Sequence, residues 1–143
     1  MPVVHIDRLQ WKPGWVEADA EDRDRRIIEA AEAPRWVIDG NYRGTLPQRL
    51  RRADTLVFLD FPPWRCRWRV IKRIVTHWGR TRPDMNEGCR ERVDFEFLAY
   101  VWRFHRDNRP GLLALLSELP EDINLVTLRT PRDVRAFLQE LSG

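Results

Sequence analysis

Thr55-Leu56-Val57-Phe58-Leu59-Asp60-Phe61-Pro62-Pro63-Trp64 decides how this chain is read. Thr55 to Leu59 is a β-branched and apolar run too short for a helix, and it closes on a carboxylate, Asp60. Pro62 and Pro63 then open a helix expected to reach about Trp78. Within it Trp64, Trp68, Ile71 and Val75 recur at helical spacing and make one apolar stripe, expected to pack into a core. A buried strand that hands over to an amphipathic helix is the unit of an α/β protein.

The unit repeats on both sides. Upstream, Pro2 to Asp7 reads as a strand ending in an acid, followed by the turn-rich loop Trp11-Lys12-Pro13-Gly14-Trp15. Asp19 caps a helix running through Ala33, Pro34 stops it, and Trp36-Val37-Ile38 is a strand ending at Asp39-Gly40. A short helix follows from Leu46 to Arg52, with Pro47 in its first turn. Downstream, a polar loop from Gly79 to Arg92 leads to a helix near Asp94–His105, and a leucine-rich helix spans Leu112 to Leu119. Ile123–Leu128 is the last strand, and Thr130 with Pro131 opens a final helix. Strands that are continuous apolar runs, alternating with helices, predict a mostly parallel sheet covered on both faces. At 143 residues the chain is expected to be a single domain.

Composition narrows the function classes. Hydrophobic residues make up 43% and charged residues 33%, a balance typical of a folded globular protein. Two cysteines, Cys66 and Cys89, are too few for a disulfide framework and match no metal motif. No apolar run approaches the ~20 residues of a membrane span, so no membrane partner is expected and the cytoplasm is the expected compartment. A net charge of +3 favours anionic partners without choosing among them.

Two features point to chemistry. The expected strands at Ile6-Asp7, Ile38-Asp39 and Leu59-Asp60 each end in an acid, where open α/β sheets bind ligands. Such an acid can hold magnesium through water, accept a substrate hydroxyl, act as a base, or simply cap the next turn. The second feature is a stretch from Phe61 to Pro83 that contains no acid but holds Arg65, Arg67, Arg69, Lys72, Arg73, Arg80 and Arg82. Arg90 and Arg92 follow after a short acidic interruption. Arginine forks bind phosphate oxygens bidentately and stay charged, although a run of cations can also be a solvated helix face. Of the seven tryptophans, most fall at helical spacing or in apolar strands; Trp11 and Trp15 lie in a loop beside Asp7.

These residues carry a resemblance. Asp39-Gly40-Asn41-Tyr42-Arg43-Gly44-Thr45-Leu46-Pro47-Gln48 is similar to the Asp-Gly-x-Pro-Arg-Thr-x-x-Gln stretch of adenylate kinases, with one extra residue. The chain more closely resembles bacterial P-loop proteins of the adenylate-kinase-like or topology-modulation type. The matching motifs are His5-Ile6-Asp7 through Trp11-Lys12-Pro13-Gly14-Trp15, Trp36 to Tyr42, Arg80 to Met85 and Glu96-Phe97-Leu98. The likeness covers nearly the whole chain in order.

The resemblance implies a three-layer P-loop nucleoside-kinase-like fold using ATP and Mg2+, with phosphoryl transfer to a nucleotide or other small phosphate-accepting molecule. It places Asp39 near the metal, Arg43 on the acceptor phosphate, Gln48 on the acceptor base, and Asp7 facing the acceptor, with Trp11 and Trp15 alongside. Arg69, Arg73, Arg82, Arg90 and Arg92 would neutralise the phosphoryl group, the last three around a lid at about 79–93. Family members begin with a strand, a Gly-x-x-Gly-x-Gly-Lys-Ser/Thr loop and a helix, and this sequence has only 7 glycines, none in that pattern. Some ~30 residues, including the central strand of a 2-3-1-4-5 sheet, are therefore expected to be missing. ATP binding should be weak, the chain inactive, and its exposed strand edges open to homo-oligomer formation. The second expected reading is a nucleic-acid-binding or regulatory module that uses the basic helix 64–78.

Overall fold

The computed structural model describes residues 1–143. The chain is mixed α/β, with seven helices and small parallel sheets. It divides into two compact units, Met1–Ala53 with Arg73–Arg92, and Asp54–Lys72 with Val93–Gly143.

In the first unit β1 (Val3–His5) runs straight into α1 (Ile6–Gln10), so Asp7 lies in the first turn of a helix and not at a strand end. The loop expected around Pro13 is a small hairpin, β2 (Trp11–Lys12) against β3 (Val16–Glu17). Its turn holds Gly14 at φ 78° and Trp15 at φ 61°, a left-handed pair that closes the two strands. The helix α2 (Ala20–Ala31) starts where Asp19 accepts a hydrogen bond from the Asp22 backbone N–H at 3.0 Å. Next, β4 (Val37–Asp39) pairs in parallel with β1, His5 standing opposite Asp39. The short α3 (Leu46–Leu50) follows. Ile6, Ile27, Ala31 and Leu46 are buried and form the core here, joined by Met85 and Cys89 from the 79–92 segment.

In the second unit β5 (Thr55–Leu59) pairs in parallel with β6 (Asn124–Leu128) over its whole length. The connection between them carries α4 (Pro63–His77), of which the residues from Arg73 onward belong to the first unit, then α5 (Phe95–Asp107) and α6 (Arg109–Ser117), and α7 (Pro131–Ser142) follows β6. Phe61, Leu112, Leu116, Ile123 and Leu128 are buried. Each parallel sheet has two strands, so β4 and β5 each keep one edge without a ladder partner.

The apolar stripe of α4 does not go into a core. Trp64, Trp68, Ile71 and Val75 are all exposed, whereas Cys66, Val70 and Ile74 on the next face are half-buried. The helical period was readable from the sequence; the buried side was not.

Candidate functional site

The first unit gathers charged groups around the carboxyl ends of β1 and β4. Gly40 allows this: it takes φ +148°, and a Cβ there would stand 2.7 Å from the Cβ of Ile6. Any side chain at position 40 would force the end of β4 away from the start of α1. With glycine, Asp39 comes beside β1, and its Oδ2 lies 3.0 Å from Nδ1 of His5.

Asp7 stands nearby, still in contact with solvent but crowded by protein. Burial raises its carboxyl pKa, Arg82 opposes the rise, Asp84 and Asp39 add to it, and Arg73 again opposes. A carboxyl whose pKa is higher folded than unfolded favours folding when protonated. Its stabilisation is therefore present at low pH and is lost as pH rises through the folded value.

Arg73 and Arg82 are fixed by one buried acid, Glu91. Arg73 donates Nη2–H to Glu91 Oε1 at 3.3 Å, and its Nε lies 3.2 Å from Oε2. Arg82 Nε lies 3.1 Å from the same Oε2, while its Nη1 reaches Asp84 at 3.3 Å. The Glu91 side chain is only 4% exposed. Burial, then repulsion from Arg82, pulls the Arg73 pKa down, and Glu91 acts against both. Two guanidiniums on one shielded carboxylate are held in place before any ligand arrives.

The segment from Gly79 to Arg92 is fastened to the rest of its unit. Asn86 Nδ2 donates to the backbone carbonyls of Arg8 at 2.7 Å and Trp11 at 2.8 Å, and Arg8 donates to the Pro83 carbonyl. Cys89 Sγ donates to the Lys12 carbonyl at 3.2 Å. Trp15 donates Nε1–H to the Arg90 carbonyl at 2.9 Å and lies under the Arg92 guanidinium at 5.0 Å, with Trp11 edge-on at 5.6 Å. Both tryptophans are half-buried in this contact, and the Arg90 side chain is exposed.

The Asn41-Tyr42-Arg43 loop is anchored at its middle. Arg23 donates to the Tyr42 hydroxyl at 2.8 Å and stacks on its ring at 4.3 Å, and Arg49 donates to the Tyr42 carbonyl. Arg43 itself is exposed. Gln48 is half-buried on α3, with a shielded Oε1 that has no hydrogen-bond partner.

Of the expected site residues, the structure thus brings Asp7, Asp39, Arg73 and Arg82 together. Arg69 belongs to the second unit, where its guanidinium covers the Phe61 ring at 4.5 Å. Glu91 and Asp84 were missed as partners. The only signal in the sequence was that they interrupt a basic stretch, which spacing cannot turn into a contact. Asp60, the third strand-end acid, is clamped by Arg109 through two hydrogen bonds of 2.8 and 2.7 Å.

The residues present do not fit a resident ATP–magnesium pair. No group of three His, Cys, Asp or Glu is placed to hold a metal ion, and Asp39 is turned to His5. No glycine-rich loop offers a row of backbone N–H groups to a triphosphate. What the cluster offers is acid–base groups beside two fixed guanidiniums, an arrangement suited to holding a phosphate ester and handling a proton nearby.

Compared with known protein families, curated proteins and solved structures, the chain matches none.

Proposed function

We propose that this chain belongs to the adenylate-kinase-like P-loop family and carries the part that binds the phosphoryl acceptor. The supporting observation is the parallel β1–β4 pair, where Asp39 at the end of β4 and Asp7 in the first turn of α1 stand beside Arg73 and Arg82, both fixed by Glu91. On this reading the guanidiniums hold phosphate oxygens and Asp7, its pKa raised, accepts or shields the acceptor hydroxyl. The acceptor is a nucleotide or another small phosphate-accepting molecule. ATP-dependent transfer is the family's reaction and needs a triphosphate cradle that these residues do not supply.

The test is calorimetric titration of the chain with AMP, inorganic phosphate and ATP. Binding of the phosphate ester is expected, weakened about tenfold to a hundredfold by Arg82→Gln, as befits the loss of a charge-assisted hydrogen bond. Arg43→Gln, on an exposed loop position, gives a second variant if Arg82→Gln proves unstable. Adding an upstream strand, Gly-x-x-Gly-x-Gly-Lys loop and helix is expected to confer ATP binding. An extended protein that ignores ATP removes the kinase assignment, and a chain that ignores every phosphate ester removes the acceptor site.

A further inference from the structure

We infer that α4 is a docking surface for an anionic membrane, lying flat in the headgroup region with its tryptophan stripe inserted. Four large apolar side chains stand along one line of this helix, with exposures of 61% at Trp64, 59% at Trp68, 43% at Ile71 and 74% at Val75. Soluble surfaces leave single apolar residues in water, but a continuous stripe of this kind marks a contact surface. The cations border it. On a helical projection Arg65 and Lys72 flank the stripe on one side and Arg67 on the other, with Arg69 beyond and exposed. No acid occurs from Phe61 to Pro83.

Charge and apolarity together choose the occupant. A second copy of this chain docked stripe to stripe would set arginines against arginines, with no carboxylate on α4 to pair them. A nucleic-acid backbone would satisfy the cations but leave Ile71 and Val75 in water. An anionic bilayer satisfies both, since headgroup phosphates and carboxylates meet the cations while the tryptophan stripe enters the acyl boundary. Tryptophan is the side chain most at home at that depth. At 15 residues α4 is ~22 Å long, and no helix of the protein is long and apolar enough to cross a membrane. The absence of an apolar span excluded crossing a bilayer; it did not exclude lying on one.

The experiment is co-sedimentation of the full chain with phosphatidylcholine vesicles, with and without phosphatidylserine, some carrying brominated acyl chains. Binding is expected only with phosphatidylserine, with tryptophan emission quenched by the brominated lipid. Val75→Ser should weaken binding about tenfold through lost apolar burial. Arg65→Gln and Lys72→Gln should each cost about fivefold, and rising salt should weaken binding further. Val75 and Lys72 lie on solvent-facing positions, so circular dichroism of those two variants should match the parent. Equal binding to neutral vesicles overturns the proposal, as does the absence of quenching by brominated lipid. So does a salt-dependent preference for single-stranded oligonucleotide over vesicles, or a dimer that hides the stripe and ignores lipid.

Discussion

Asp60 holds its charge because Arg109 grips both carboxylate oxygens, and Arg129 adds a weaker attraction at 3.8 Å. The Arg109 hydrogen bond is the main cause that holds the carboxyl below its usual range, with burial opposing it. An acid whose pKa is lower folded than unfolded contributes stability above its unfolded value, near pH 4, and loses it as pH falls through the folded one. Urea midpoints are therefore expected to fall on the acid side of about pH 4. Arg109→Met should remove that limb and cost about 2–3 kcal/mol at neutral pH, because it strands a carboxylate only 6% exposed. An unchanged acid limb in the variant would show that the clamp is not the cause. Asp60 also illustrates what a residue's position in sequence leaves open. It ends a strand, as Asp39 does, yet it is a structural anchor, because an arginine 49 residues away reaches it.

At the scale of elements, local chemistry carries most of the fold. The last helix α7 is set by its own first turn: Thr130 accepts from the Asp133 N–H at 3.2 Å, and Asp133 accepts from the Thr130 N–H at 2.9 Å. Thr130→Ala should therefore lower stability by about 1 kcal/mol, read from the urea midpoint, while Thr130→Ser should be close to neutral. Signals of this kind made α2, α4, α7 and the strands β4, β5 and β6 legible within a few residues. The misses were α1 and the β2–β3 hairpin, which are too short to show a period. The hairpin turn also depends on two left-handed residues in succession, Gly14 and Trp15, and tryptophan gives no warning of that.

For the whole molecule, what matters is edges and units. Each parallel sheet stops at two strands, leaving the outer edges of β4 and β5 without partners. Half the amides of an edge strand point away from its ladder. Hydrogen exchange should therefore alternate along β5, with protection on the side of β6 and fast exchange on the other. Uniform protection along β5 would mean that another strand covers its edge. Division into two compact units also explains why the candidate site was only half readable. Arg69 and Arg73 sit four residues apart on one helix, yet they fall in different units and serve different neighbours.

Periodicity, caps and breakers are short-range effects, so the sequence by itself determined the order of the longer strands and helices and the mixed α/β class. It also marked Asp7, Asp39 and the arginines as the groups worth following. Only the tertiary structure decided that Glu91 joins Arg73 to Arg82 and that Arg109 silences Asp60. It also decided that the tryptophan stripe of α4 meets solvent. Each of these depends on which side chains come within a few ångströms across long stretches of chain. Packing settles that, and residue spacing does not encode it.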